Sequence, residues 1–507
     1  MVSPHAGVSP LDAHNRTLLE HVHPDDWVNP TPADRYHLVV VGAGTAGLIA
    51  ASFAAGAGAR VALVERELMG GDCLNVGCVP SKSILRSSRY FAEHRDAAAL
   101  GWAGGEASAD FAAVMERMRR IRAGISPHDS AARYRDEKGV DVFLGEGAFT
   151  SETTLEVAGA TLRFRRAVVA TGARAASLPI PGLDEAGYLT NATVFNLTER
   201  PERLAVIGGG PIGAELAQAF QRLGSRVTLL EMSPQLLPRE DPDAAAIVRK
   251  EMVRDGVRLM LGTTIQRVEV EGDERRIHVG TAQGSHEEVA VDRILVAAGR
   301  QPNTAGLGLD QAGVNVNPRG ITVDDTLQTS NPRIYAAGDV CMAWQFTHAA
   351  EDAARVAVQN ALFPGRRRLS TLTMPWCTYT DPEVAHVGLY PHQAEAQGVG
   401  VTTYTQPWSG VDRALTDGED HGFVRIHTRR GTDEILGATI VARHAGEMIS
   451  EITLAMVAKL GLSTLSGVIH PYPTQADAIR RTAFQYSVGR LTPLVKQLLG
   501  LWFRVTG

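Results

Sequence analysis

His37-Leu-Val-Val-Val-Gly42-Ala-Gly44-Thr-Ala-Gly47 opens a run that passes through an alanine-rich stretch into Arg60-Val-Ala-Leu-Val-Glu65. The β-branched residues before Gly42 predict a short buried strand, the alanines a helix, and residues 61–64 a second strand ending on an acid. The pattern returns 166 residues later as Leu204-Ala-Val-Ile-Gly208-Gly-Gly210-Pro-Ile-Gly213-Ala-Glu215, a helical stretch to Leu223, and Arg226-Val-Thr-Leu-Leu-Glu231. In both copies the terminal acid follows the first glycine by 23 residues. Glycines in a Gly-x-Gly-x-x-Gly turn let backbone N–H groups approach a pyrophosphate at a helix N-terminus, and an acid at about this distance meets a ribose. One glycine fingerprint is weak evidence, because glycine also marks plain turns. Two complete strand–turn–helix–strand–acid units specify two dinucleotide-binding lobes.

Further strands fit the same plan. Arg166-Ala-Val-Val-Ala-Thr171-Gly172 and Arg293-Ile-Leu-Val-Ala-Ala298-Gly299-Arg300 each stop at a small-residue turn, and Ile334-Tyr-Ala-Ala-Gly338-Asp339 ends on an acid able to hold a polyol. Near residue 372 the texture changes to Pro375, Trp376, Tyr379 and Pro382, followed by strand-like runs and a helical stretch from Glu447 to Lys459. The expected fold is therefore α/β, with two Rossmann-like dinucleotide-binding domains and a C-terminal α+β domain. The boundaries read as an extension over 1–35, a first nucleotide domain over 36–190 and 304–372, a second inserted over 191–303, a C-terminal domain over 373–490 and a tail over 491–507. A length of 507 residues agrees with about three domains. A net charge of −6 gives no global positive field for nucleic acid. No run approaches about 18 apolar residues, so no transmembrane span is expected. The polar N-terminus has no signal-peptide pattern, which predicts a cytoplasmic setting.

Four cysteines in 507 residues cannot form a disulfide framework. Two of them lie in Gly70-Gly71-Asp72-Cys73-Leu-Asn-Val-Gly77-Cys78-Val-Pro80-Ser-Lys82, and Lys82 is one of only five lysines. Thiols five apart among glycines can close a small loop, which is too short to contribute much as a staple. Pro80 and residues 81–91 predict a helix whose N-terminal dipole favours thiolate. A structural disulfide or a pair of buried thiols is the plainer alternative. A redox-active pair fits the upstream nucleotide lobe better.

In this order, the motifs resemble the flavoprotein pyridine nucleotide-disulfide oxidoreductases, a group that includes lipoamide dehydrogenase, glutathione reductase and mercuric reductase. The resemblance spans about residues 36 to 490. Gly338-Asp-Val-Cys341, Phe346-Thr-His348, Pro375-Trp-Cys377-Thr-Tyr-Thr-Asp-Pro-Glu383 and His470-Pro-Tyr472-Pro-Thr474 look most like the mercuric-reductase-like branch. The resemblance implies FAD held by Gly42, Gly44, Gly47, Glu65, Gly71, Thr171, Gly172 and Asp339. It implies NADH held by Gly208, Gly210, Gly213, Glu231 and Gly299. A carboxylate at 231 suits the free ribose hydroxyls of NADH and repels the 2′-phosphate of NADPH, with Arg226 nearby as the contrary sign. The implied relay runs from NADH through FAD to a Cys73–Cys78 disulfide, with Cys78 on the flavin side, Cys73 outermost, and Lys82 and Glu215 as a flavin-side ion pair. It also implies a homodimer made through the C-terminal domain.

Two features depart from the disulfide-reducing pattern. Where those enzymes place an acid–base histidine, this chain has Tyr472, and a phenol titrating near 10 mostly donates. His470, two residues away along an extended segment, is displaced by about 6–7 Å and reads as a structural histidine. Tyr472 is compatible with a soft metal substrate held by two thiolates. On the other side, no cysteine follows Cys377, so the terminal cysteine pair of mercuric reductases is missing, and residues 1–35 hold no cysteine. Lone Cys341 and Cys377 read as small buried hydrophobes. The tail from Leu491 to Val505, with Lys496 and Arg504, is expected to dock on its own domain rather than on a membrane surface or a partner. The resulting expectation is an FAD-dependent enzyme passing electrons from NADH to Cys73–Cys78 and on to Hg(II) or another thiol-reactive acceptor. Lipoamide dehydrogenase-like or quinone-reducing turnover is the second reading, and a non-enzymatic flavin/NADH redox sensor the third.

Overall fold

A computed structural model describes residues 7–105, 107–281, 284 and 286–507. Its backbone divides into two compact units, one of residues up to 232 together with 257–372, the other of residues 233–256 together with 373–507.

The first unit holds the duplicated architecture expected from the glycine motifs. Strands Asp141–Leu144, Val61–Glu65, Tyr36–Val41 and Ala160–Val169 lie side by side in that order, with Ile334–Ala336 beyond the last, all parallel. The second sheet repeats the plan with Arg258–Leu261, Arg226–Glu231, Arg203–Ile207 and Arg293–Val296. In each sheet the chain steps outward from the first strand and then returns to its other side. This leaves a crevice at the carboxyl ends of two neighbouring strands, where open α/β sheets bind ligands. The registers Val41↔Val169 and Ile207↔Val296 mark the two crevices. Each copy also carries a three-stranded antiparallel excursion, over 147–169 and 263–291. The central strands read as continuous apolar runs because both faces are covered, one by helices Thr45–Gly56 and Thr347–Leu362 and the other by the antiparallel excursion, and Val39 and Val40 are fully buried.

The N-terminal extension, unreadable as chemistry in the sequence, is built into this unit. Helix Ala13–Val22 buries Leu18 and Val22 completely, and Trp27 Nε1 donates to the Val142 carbonyl.

The second unit is a five-stranded antiparallel sheet in the order Pro375–Thr378, Glu383–Gly388, Ile435–Ala442, Phe423–Arg429, Val401–Pro407. Every residue of its central strand is buried. Residues 233–256, which the sequence places inside the second nucleotide domain, cluster here instead. Trp376 Nε1 and Tyr390 Oη donate to the two Glu240 oxygens at 2.9 and 2.7 Å, and Arg425 binds Asp241 and Asp243, each at 2.8 Å. The chain's last helix, Pro493–Thr506, corrects the expectation for the tail: it has no buried residue and does not dock on its own domain. Among the described residues no helix is long and apolar enough to cross a membrane.

Candidate active site: two dinucleotide cradles and a thiol pair

The glycine positions are dictated by close approach. A Cβ on Gly47 would sit 1.7 Å from the Gly42 carbonyl oxygen, and one on Gly213 1.9 Å from that of Gly208. Helices Thr45–Gly56 and Pro211–Arg222 therefore start flush against their strands, capped by Gly44 and Gly210 with no side-chain cap. Their first N–H groups remain available to an anion. Each closing acid grips its own glycine loop: Glu65 Oε2 accepts from Ala43 N at 2.6 Å, and Glu231 Oε2 from Gly209 N at 2.5 Å. Burial pushes the Glu65 carboxyl above its ordinary value. Gly42 and Gly208 carry φ of 99° and 110° against Ala170 and Ala297, so each turn closes over the neighbouring strand. Gly172 and Gly299 likewise turn with φ of 67° and 77°. Thr171 and Asn303 clasp each other, Thr171 Oγ1 donating to the Asn303 carbonyl and Asn303 Nδ2 to the Thr171 carbonyl. The crevices, the uncapped helix starts and the terminal carboxylates fit two dinucleotides.

The cysteine loop lies against the first cradle. A Cβ on Gly71 would come 2.6 Å from Gly44 Cα. Gly77 folds the chain back so that its own Cβ position lies 3.5 Å from Cys73 Cα, which brings the two thiols together. The cysteine helix begins at Cys78 itself, two residues earlier than the sequence predicts, and runs to Asp96. The Cys78 sulfur lies 3.2 Å from Thr347 Oγ1, the hydroxyl of the first residue of helix Thr347–Leu362. Both cysteines are free thiols, and the dithiol is asymmetric. Cys73 donates its S–H to Cys78, which holds Cys78 down at about 6, helped by Thr347 and by the Lys82 charge against desolvation. The same hydrogen bond, with burial, pushes the Cys73 thiol strongly up.

Lys82, one turn along the cysteine helix, meets Glu215 of the second cradle's helix at 2.7 Å. Glu215 is nearly buried, with only 6% of its side chain exposed. Asp339 lies 3.3 Å from Arg300 Nε, and Arg300 Nη2 donates to Asp72 at 2.5 Å, so one guanidinium ties the cysteine loop to the Gly-Asp strand end.

Several residues of this region were passed over in the sequence. Arg300 and Thr347 lie inside quoted motifs, yet only folding brings them to the thiols. Asp129 packs on Gly70, its carboxyl raised by burial, and no local pattern marks it. Arg122, fully enclosed, donates to the Asn75 carbonyl at 2.6 Å and to Asn15 Oδ1 at 2.7 Å, linking the N-terminal helix to the cysteine loop.

Tyr472 and His470 belong to the C-terminal unit. Tyr472 is exposed and donates to Asp412 Oδ2 at 2.9 Å, which raises its phenol above the ordinary value. His470 Nε2 lies 3.2 Å from both Glu451 oxygens. Cys341 is pushed up to about 12 by burial. Among the described residues no group of three or more His, Cys, Asp or Glu is arranged to hold a metal ion.

Twin nucleotide cradles bracketing a Cys-x4-Cys helix define a dithiol oxidoreductase of the flavoprotein type, and comparison with known proteins agrees. The pyridine nucleotide-disulphide oxidoreductase model matches residues 36–354 and its dimerisation-domain model residues 374–483, so the chain belongs to that family, whose members bind FAD and NAD(P)H. It is 36% identical to a mercuric reductase of Lysinibacillus sphaericus over 89% of this chain and 83% of that protein. It is also 36% identical to a dihydrolipoyl dehydrogenase of Chlamydia muridarum over 89% of this chain and 96% of that protein. The Cu(II) complex of the HOCl-induced flavoprotein disulfide reductase RclA from Escherichia coli superposes with a TM-score of 0.79 at 29% identity, covering 88% and 98% of the two chains.

Proposed function

We propose that this chain is an FAD-dependent, NADH-driven reductase that passes electrons through the Cys73–Cys78 pair to a thiol-binding metal ion, Hg(II) or Cu(II), held by the two sulfurs. The observation that carries the reading is Tyr472, exposed and hydrogen-bonded to Asp412, where a disulfide-reducing enzyme needs a histidine. Raised above its ordinary value, the phenol holds its proton at neutral pH and does not cycle it. A metal ion held by two sulfurs needs no such cycling. Soft thiolate ligands select soft ions such as Hg(II) and Cu(I), and the RclA structure was solved as a complex of Cu(II), whose one-electron reduction gives Cu(I). Two electrons leaving NADH as hydride reduce one Hg(II) to Hg(0), or two Cu(II) to two Cu(I), with one proton released.

In this reading Gly42, Gly44, Gly47, Glu65, Gly71, Thr171, Gly172 and Asp339 hold FAD, which supplies the hydride acceptance and electron relay between nicotinamide and thiols. Gly208, Gly210, Gly213, Glu231 and Gly299 hold NADH. Arg226 does not offset Glu231, because it starts the strand that Glu231 ends, about 16 Å away, and pairs with Glu202 at 2.5 Å. Cys78 presents the thiolate, Cys73 meets the acceptor and releases the shared proton to solvent as the metal binds both sulfurs, and Lys82 with Glu215 fixes the charge beside Cys78. The enzyme works as a homodimer through the 374–483 domain.

The test reduces the purified flavoprotein anaerobically with NADH and offers Hg(II), Cu(II), lipoamide, glutathione disulfide and a quinone separately. Metal turnover lost in Cys73→Ala supports the reading. Lipoamide turnover exceeding metal turnover replaces it with the dehydrogenase reading, and quinone turnover indifferent to both cysteines makes the pair peripheral.

A further inference from the structure

The helix Pro493–Thr506 lies beyond the matched dimerisation domain and leaves its apolar side chains in the open. Trp502, Phe503 and Val505 are 63%, 66% and 83% exposed. At 3.6 residues per turn, Lys496, Gln497, Gly500 and Arg504 fall within one stripe about 100° wide. Leu494, Val495, Leu498, Leu499, Leu501, Trp502, Phe503 and Val505 occupy the remaining arc. Thr506, on the apolar side, satisfies its hydroxyl on the Trp502 carbonyl.

Charge selects the occupant. After Asp477 the chain carries five basic residues and no acid, although the whole is acidic at −6. Arg480 and Arg481 are engaged by Asp477, which leaves Lys496 and Arg504 on the polar stripe and Arg490, over the Tyr486 ring, exposed just before the helix. A second copy of this helix would bring like charges together with no acid to receive them. A fourteen-residue helix without packing is marginal in water, so it needs an apolar phase to lie on. At roughly 21 Å it is too short to cross a hydrocarbon core of about 30 Å. Leucine and aromatic residues on one face with lysine and arginine on the other describe a helix lying in the plane of an anionic bilayer.

We infer that Pro493–Thr506 is an interfacial anchor that holds this enzyme on anionic lipid, seated by Leu498, Trp502 and Phe503 and drawn in by Arg490, Lys496 and Arg504. In a homodimer two such helices act together, so binding is steeper than for one.

The test uses the full-length holoenzyme in flotation with vesicles of phosphatidylcholine alone or mixed equally with phosphatidylglycerol. Binding to the mixed vesicles that falls with salt is expected. Each basic residue near an anionic surface contributes about fivefold, so Lys496→Glu/Arg504→Glu is expected to weaken partitioning roughly 25-fold or more. Trp502→Ser/Phe503→Ser is expected to abolish it, with NADH-dependent turnover in solution unchanged for both variants. Absence of binding to either vesicle overturns the inference, as does binding that both double variants retain. A variant lacking 491–507 that sediments as a monomer while the full chain ignores lipid would assign the helix to the subunit interface instead.

Discussion

Removing the Cys73 sulfhydryl should raise the titration midpoint of Cys78. In the reduced protein the largest influence holding Cys78 at about 6 is the hydrogen bond from Cys73, ahead of Thr347 and the Lys82 charge. A hydrogen bond to a charged group contributes about 1.5–3 kcal/mol, and the low end applies because Cys78 is open to solvent. Since about 1.4 kcal/mol moves a midpoint by one pH unit, Cys73→Ala should titrate near pH ~7. At pH 6.5 the thiolate fraction should fall from roughly three quarters to roughly one quarter. Cys73→Ser, which keeps a donor, should stay near the wild-type midpoint. The assay is the thiolate ultraviolet absorbance of the reduced protein against pH, with the Cys78→Ser protein as the subtracted reference. The sign also fixes a stability trend. Because the folded value is depressed, the stabilisation from this thiolate is present above the unfolded value near 8.5 and is lost as pH falls through about 6. An unchanged midpoint in Cys73→Ala, or equal shifts in the alanine and serine variants, would refute the assignment of the proton to Cys73.

Gly47→Ala should yield protein with little bound flavin, since the added carbon lands 1.7 Å from a carbonyl oxygen, whereas Gly213→Ala should keep flavin and lose NADH affinity; flavin-to-protein ratio and an NADH titration separate them. Lys82→Met should cost about 1–2 kcal/mol in denaturant unfolding, because Glu215 is enclosed while Lys82 is partly screened by water, and should also raise the Cys78 midpoint. Arg122→Ala should cost about 3 kcal/mol by the same measure, stripping partners from the Asn75 carbonyl and Asn15. Glu231→Gln should narrow the preference for NADH over NADPH, read as the ratio of kcat/KM values for the two.

The duplicated fold was legible because its signals are local: strand, glycine turn, helix and acid lie within 30 residues, and each spacing has one steric meaning. The Lys82–Glu215 contact, proposed on resemblance, forms at 2.7 Å across 133 positions of sequence. What escaped has no local period. Asp129 and Arg122 take their importance from helices that fold against the cysteine loop. The segment 233–256 looks like ordinary Rossmann continuation until Trp376, Tyr390 and Arg425 claim its acids. The sequence predicts that the tail docks because apolar residues usually do, and only the exposure of its side chains in the folded chain shows otherwise.

The position of the cysteine loop and helix also places the thiol pair against both cradles. Both cradles use the same device, a carboxylate accepting from its own glycine loop, at 2.6 and 2.5 Å. They differ in what presses against them. The first has Gly71 of the cysteine loop against Gly44, so the loop leading into the cysteine helix belongs to that cradle. The second sends Glu215 from its glycine helix to Lys82, one turn further along the same cysteine helix. Loop and helix together, residues 71–96, thus touch both copies, with the low-midpoint thiol at the helix start next to the loop. A change at Lys82 is therefore felt at the thiol through charge and at the second cradle through packing. The ion pair thus joins the cysteine helix to the second copy as well as tuning Cys78.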